Sequence, residues 1–188
     1  MRDMPKVGKV VFAALVISAM LLGAYSFYRI QQRQQYGILI EAAAEEYGVD
    51  PALVAAVAWR ESKFRAHAVG GVGELGLMQV SPVVGQEWAA QHHQETFDPE
   101  QLLDPSVNLR AGTWYLARAI EHWSDRPDPL PYALAQYNAG RTHALRWARA
   151  DGSDAAQFVQ NVSYPSTRAY IRDVLMRYRG YVVDQPDE

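Results

Sequence analysis

The sequence predicts an all-α protein: a helical domain over residues 36–182, preceded by a single N-terminal transmembrane helix over 10–28. Three observations carry that reading. Val10 to Tyr28 holds 19 residues with no charge and no proline, close to the ~20 that a helix needs to cross a hydrocarbon core. Beyond residue 34 there is no Val/Ile/Thr-rich alternating run bounded by hairpin turns. Helix-opening pairs recur instead: Asp50-Pro51 and Asp104-Pro105 each place an N-cap acceptor before a proline at the first helical position.

Taken in order, Arg2, Lys6 and Lys9 precede the apolar run, so the positive-inside tendency puts residues 1–9 in the cytoplasm and everything after Arg29 outside the inner membrane. A cleaved signal peptide is the alternative, with a small-x-small site at Ala24-Tyr25-Ser26. Its apolar core is ordinarily ~7–15 residues, shorter than this run. Either way the domain is exported to a bacterial periplasm, anchored or released. Residues 29–35 read as a Gln-rich connector. Ile38 to Tyr47 is Ala- and Glu-rich and stops at Gly48. Asp50-Pro51 opens a helix through Lys63. Ala66 to Gly76, with Gly70, Gly71, Gly73 and Gly76, is a loop. Asp104-Pro105 opens a long helix through about Trp123. Pro131 to Tyr137 is short and apolar and ends near Gly140. Arg141–Ala150, Ala155–Val162 and Thr167–Arg179 complete the set, and residues 183–188 form a flexible tail.

Composition excludes several chemistries. The chain has no cysteine, hence no disulfide, thiolate metal site, cysteine nucleophile or lipidated cysteine. The net charge of −3 averages two unlike pieces. Residues 1–33 carry five basic residues against Asp3, and the remainder carries 13 basic and 20 acidic residues. An acidic domain does not suggest a nucleic-acid partner. His67, His92, His93, His122 and His143 form no metal-ligating pattern, and no metal or cofactor is expected. Trp114, Trp123 and Trp147 read as core or rim.

Three short elements could carry chemistry. Leu53, Val57 and Glu61 fall at i, i+4 and i+8, so Glu61 ends an apolar stripe. A partly desolvated carboxyl there has a raised pKa, the setting of a general acid in glycoside cleavage. The same spacing also suits a solvated Glu on a last helical turn. Gly76-Leu77-Met78-Gln79 closes the glycine-rich loop, where backbone can approach a ligand and Gln79 offers donor and acceptor; an ordinary flexible loop is the alternative. Ala135-Gln136-Tyr137-Asn138-Ala139-Gly140 sets a hydroxyl and an amide at the end of an apolar helix, and reads equally as a C-cap.

Together these elements are more specific than apart. Glu61-Ser62, Gly76-Leu77-Met78-Gln79 and Ala135-x-Tyr137-Asn138-Ala139-Gly140 resemble the catalytic domain of the soluble lytic transglycosylase (SLT) family, with its goose-type-lysozyme-like helical fold. Asn108-Leu109-x-x-Gly112-x-x-Tyr115-Leu116 is similar to its central helix, and Tyr164-Pro165-Ser166-Thr167-Arg168-Ala169-Tyr170-Ile171 to its last motif. The resemblance runs from about Ile38 to Tyr178. Ser166 departs from the family's common Glu, Ser81 from an apolar residue, and Glu74 from a small one.

The resemblance implies cleavage of peptidoglycan glycan strands between N-acetylmuramic acid and N-acetylglucosamine, without water, leaving 1,6-anhydro ends. It implies Glu61 as general acid and then general base. Tyr137 would hold Glu61 through its hydroxyl, and Ser62 would steady that region or touch the sugar. Met78, Gln79 and Asn138 would line sugar subsites, with Tyr170 on the cleft wall. A hydrolytic muramidase on the same fold, with Glu74 activating water, is the nearest alternative. A weakly active peptidoglycan-binding subunit of an envelope complex is another. The small single domain also suits an enzyme that opens the wall locally for a secretion, conjugation or pilus machine.

Overall fold

In the computed structural model residues 6–149 and 154–183 are described, without the side chains at 6–10, 13–14, 24–34 and 183. Every regular element among them is helical: α1 (Lys6–Tyr47), α2 (Pro51–Ser62), α3 (Pro82–Gln91), a 3-10 turn (Pro99–Leu103), α4 (Pro105–His122), α5 (Leu130–Ala139), α6 (Arg141–Ala148), α7 (Ala155–Asn161) and α8 (Pro165–Val183). The only extended pairings among the described residues are isolated bridges, Val69 with Leu75 and Leu75 with Val80.

The chain divides into two units, residues 1–37 and 38–188. In the first, Val11, Phe12, Leu15, Ile17, Met20, Leu21 and Leu22 each stand more than half exposed along α1. No helix, as searched over the described residues, is long and apolar enough to cross a membrane. The expected span 10–28 lies partly outside that description, at positions 10, 13–14 and 24–28. Residues 29–35, expected as a connector, are helical.

In the second unit α2 is the buried axis. Asp50 opens it by accepting from the Ala52 N–H at 2.8 Å, with Pro51 in the first turn. Every residue from Ala52 to Trp59 is buried, so Leu53 and Val57 lie inside as their spacing requires. Full burial of a Leu or Val side chain is worth about 1.5–3 kcal/mol, and the intervening alanines let neighbouring helices approach. α8 packs along α2 through buried Tyr170, Ile171 and Val174. α4 and α5 pack on each other. Beneath them Trp123, Tyr132 and Phe158 form an aromatic column, Tyr132 stacking on Phe158 at 4.0 Å between ring centres. Trp114, Trp123 and Trp147 are all buried.

Element boundaries follow their caps. Asp104 caps Ser106 and Val107, and Asp154 caps Ala156 and Gln157. α3 is an addition to the expected set. Ser81 accepts from the Val84 N–H at 3.3 Å and Pro82 sits in the first turn, the same signal that opens α2 with a weaker cap. α8 extends beyond the expected Thr167–Arg179 at both ends. The expected end of α6 at Ala150 and the tail 184–188 lie outside the described residues.

Candidate active site

Glu61 is held by the abrupt end of a buried helix. α2 stops one residue later because Lys63 and Phe64 both adopt left-handed backbone, φ 55° and 61°. The Lys63 N–H returns to the Trp59 carbonyl at 2.8 Å, and the Phe64 ring anchors the reversal in the core. Glu61 is left half-buried, facing a cavity of about 320 Å³ that it shares with Glu74, Gln79, Tyr115, Tyr137 and Asn138.

The opposite wall is the turn 75–80, tied to three helices. From α2, the Ser62 hydroxyl donates to the Leu77 carbonyl at 2.8 Å. From α4, the fully buried Asn108 accepts from the Met78 N–H at 2.7 Å and donates to the carbonyls of Leu75 and Leu102 at 2.7 and 2.8 Å. From α5, the Tyr137 hydroxyl donates to the Met78 carbonyl at 2.9 Å. Leu75 and Val80 close the turn with a reciprocal backbone pair, both bonds 2.9 Å. Gly76, at φ 77°, is required twice over: a side chain there would be strained and its Cβ would strike the Asn108 amide.

These ties decide what the turn shows to the cavity. Met78 points inward, fully buried against Gly112, whose Cα hydrogen faces the Met78 side chain so closely that a Cβ would lie 2.6 Å from the sulfur. Gln79, at φ 48°, turns its amide nitrogen back to the carbonyls of Ala68 and Gly76 at 3.2 and 3.0 Å. Its Oε1 is left as an acceptor over Gly70. Asn138 does the reverse. Its Oδ1 accepts from the Thr167 hydroxyl at 2.8 Å, and its exposed amide nitrogen has no protein partner among the described residues. Tyr115 and Tyr137 pack ring to ring at 5.4 Å between them.

The electrostatics single out Glu61. Its pKa is pushed up from the ordinary 4.5 to about 7, chiefly because burial disfavours the charged form, with the Glu74 carboxylate adding to the rise. Tyr170 and Arg60 act in the opposite direction. The Arg60 guanidinium is also bonded to Asp173 at 3.1 Å. Tyr170 is 1% exposed, and its hydroxyl makes no hydrogen bond of good geometry among the described residues. It faces Glu61 and favours the carboxylate. Burial, and then the charge of Glu61, hold both Tyr137 and Tyr170 protonated far above neutrality.

The structure thus brings Glu61, Gln79, Tyr137 and Asn138 around one cavity. It redistributes some roles implied by the resemblance. The Tyr137 hydroxyl proton is committed to Met78 rather than to Glu61, and the hydroxyl aimed at Glu61 is that of Tyr170. Ser62 is fully buried, so it steadies the turn and does not reach a sugar. Met78 contributes packing and two backbone groups, not a cleft surface. Sequence reasoning missed Asn108, Tyr115 and Thr167 as parts of the site. Asn108 had a readable signal, a polar residue on the apolar face of a long helix.

The family model for the transglycosylase SLT domain matches residues 38–159. The membrane-bound lytic murein transglycosylase F of Desulfosudis oleivorans is 35% identical over 152 residues, 78% of this chain and 30% of the relative. The soluble lytic murein transglycosylase of Escherichia coli K12 is 32% identical over 142 residues, 70% of this chain and 21% of the relative. The chain therefore spans less than a third of these relatives' length. Among solved structures, an inactive Glu-to-Gln mutant of the lytic transglycosylase Slt from Pseudomonas aeruginosa superposes with a TM-score of 0.71 at 25% identity, covering 80% of this chain and 24% of that one. With its helical fold, its cavity and a family match over most of its length, this chain belongs to the transglycosylase SLT domain family.

Proposed function

We propose that the chain is a peptidoglycan lytic transglycosylase, cutting the β-1,4 bond between N-acetylmuramic acid and N-acetylglucosamine and leaving 1,6-anhydro ends. The observation that carries this is the carboxyl of Glu61, with a pKa of about 7, facing the amides of Gln79 and Asn138 and two tyrosines in a cavity whose other carboxylate is Glu74. A group poised near neutrality can give up a proton and take one back. Glu61 protonates the leaving glycosidic oxygen as the bond to the anomeric carbon breaks. The muramic C6 hydroxyl then bonds to that carbon, and its proton returns to the Glu61 carboxylate. No water is consumed, and one carboxyl suffices where most glycosidases use two. The Tyr170 hydroxyl favours the carboxylate present between the two steps. Gln79 Oε1 and the Asn138 amide nitrogen offer one acceptor and one donor, the complement of an acetamido group. The inactive mutant of the Pseudomonas relative differs at a single glutamate, in keeping with this economy.

Glu61→Gln is expected to fold and to release no muropeptides from purified sacculi. Persistent cleavage would remove Glu61 from its role. Glu74 favours a second reading, because it lines the same cavity as a second carboxylate and could activate water. Mass spectrometry separates the two, since anhydro ends are one water lighter than the reducing ends a muramidase leaves.

The proposal includes anchoring in the inner membrane through residues 10–28, with the N-terminus in the cytoplasm and the catalytic unit in the periplasm. The uncharged run and the exposed apolar side chains from Val11 to Leu22 support it. Fractionation after carbonate extraction tests it, and a soluble product trimmed near Ala24 would mean cleavage instead. Service to a secretion, conjugation or pilus machine rests on the small size of the catalytic unit, and a gene neighbourhood without assembly-machine genes would count against it.

A further inference from the structure

Positive charge is gathered on α8 and on the end of α2 that packs against it. Residues 59–65 and 165–183 hold seven of the 13 basic residues beyond residue 33, but two of the 20 acidic ones. One of those acids, Glu61, faces the catalytic cavity. The other, Asp173, is taken by Arg60 at 3.1 Å. Arg168, Arg172, Met176, Arg179 and Val182 recur every three or four residues, so they form one stripe along α8. The stripe is turned away from the buried Tyr170, Ile171 and Val174. Arg168 is part-buried and Arg172 and Arg179 are exposed. Between them Met176 stands 63% exposed, and at the end of the stripe Val182 stands 48% exposed. The three arginines have no carboxylate partner among the described residues. Nothing in the reaction at Glu61 calls for this surface.

We propose that this stripe docks the catalytic unit on an anionic phospholipid surface, its arginines on the headgroup phosphates and Met176 and Val182 between the headgroups. The proposal goes beyond the cavity and its reaction. For an anchored chain it rests on the reading of residues 10–28 as a membrane segment, which would hold the chain at such a surface at high local concentration. A guanidinium takes a phosphate through two parallel bonds. Long basic side chains interspersed with apolar ones suit the headgroup boundary. Arg168 to Val182 spans about 20 Å of helix, far more than one free phosphate needs. A protein partner binds chiefly through an anchor side chain in a pocket, whereas the stripe is the outside of a single helix. Elsewhere beyond residue 33 the acids outnumber the bases by 18 to six, so an anionic layer attracts this face and repels the others. No α8 residue lines the catalytic cavity, so a docked unit keeps that cavity open to substrate.

The test uses the full chain in vesicles of phosphatidylcholine, with or without added phosphatidylglycerol. The chain has no cysteine, so Met176→Cys gives a single site for an environment-sensitive fluorophore. Its emission is expected to shift to the blue, and to be quenched by spin-labelled lipid, on the anionic vesicles alone. High salt should reverse both changes. A label at the exposed Glu100, placed through Glu100→Cys, should stay in water throughout. In the Arg168→Gln/Arg172→Gln/Arg179→Gln variant the ratio of docked to free label at position 176 is expected to fall about a hundredfold, at roughly fivefold per arginine. Replacing the same three by Lys should keep most of the docking, which separates lost charge from lost folding. A label at 176 that stays in water on anionic vesicles, as it would if an acidic protein were the partner, overturns the proposal. So does a shift that survives the Gln variant, or one that the Glu100 label shares. If the chain does not float with neutral vesicles, the anchoring reading fails by itself. The labelled chain added to anionic vesicles from solution then judges the face alone: a salt-sensitive shift at 176 supports it, and no shift overturns it.

Discussion

Tyr170→Phe removes one oxygen and leaves a buried ring in place. In the resting enzyme that hydroxyl has no well-formed hydrogen bond among the described residues, and near neutrality Glu61 holds its proton about half the time. The hydroxyl therefore does most when Glu61 is a carboxylate, the form left after the leaving oxygen is protonated. A hydrogen bond to a charged group contributes about 1.5–3 kcal/mol. Glu61 keeps partial access to solvent, which places this bond just below that range, at about 1.4 kcal/mol, or tenfold. The sign follows from the partner. The hydroxyl favours the charged form, so its loss raises the Glu61 pKa above about 7 and keeps the acid protonated to higher pH. The alkaline limb of kcat/KM should then move up by about one pH unit, while the plateau value of kcat falls about tenfold. Thermal stability should hardly change well below pH 7, where Glu61 is protonated, and should fall by up to about 1.4 kcal/mol at alkaline pH, where the carboxylate loses its partner. Release of anhydro ends from sacculi between pH 5 and 9 measures both quantities. An alkaline limb that stays in place or moves down would refute the assignment of Tyr170 to Glu61.

Two further outcomes follow from the same geometry. Glu61 is harder to ionise folded, at about 7, than in its ordinary state at 4.5, so its burden on stability is absent below about pH 4.5, grows as pH rises to about 7 and then levels off. Glu61→Gln should accordingly raise stability by about 2 kcal/mol at pH 8 and by little at pH 4.5, after discounting for solvent access; melting curves giving an equal gain at both pH values would contradict the burial of that charge. Asn108→Leu should cost about 3 kcal/mol or more in a urea titration, since it leaves the Met78 N–H and the Leu75 and Leu102 carbonyls without their buried partner, and it should lower activity through the displaced turn; a variant as stable as the wild type would mean the turn is held by other ties.

What could be read in the sequence was what local chemistry decides. Asp50-Pro51 and Asp104-Pro105 open helices because a capping oxygen and a fixed φ act within three residues. Ser81-Pro82 does the same for α3, and a Pro-Val-Val-Gly start with few apolar positions behind it hid the helix. The position of Glu61 followed from period, since Leu53 and Val57 fix the face. The inner workings of the site did not follow, because their partners are far apart in the chain. Asn108 bonds residues 30 and 33 positions away, and Tyr137 reaches back 59. The two motifs that carry Tyr137 and Tyr170 point to one cleft, but do not say which hydroxyl meets the carboxyl. Met78 looked like a cleft residue because its neighbours are. Its burial is set by a bare Gly112 on another helix, which no local pattern announces.

The turn 75–80 also changes what a glycine-rich segment means for motion. The Met78 amide is bonded to a buried asparagine, and the carbonyls beside it are bonded to two further helices. Such an amide can exchange its hydrogen with solvent only when α2, α4 and α5 come apart, so it belongs to the slowest class, alongside the amides of the core. Five residues earlier, Gly73 lies in the outer bend of the same loop with its N–H held only by the Gly70 carbonyl at 3.3 Å, and it opens by local fluctuation. Within one loop the exchange clock would therefore run from fast to nearly stopped over a handful of residues. The slow end is the one that runs into Gln79 and Val80, which line the cavity. Substrate would meet a surface whose order was settled when the chain folded, and little conformational entropy would remain to be lost on binding.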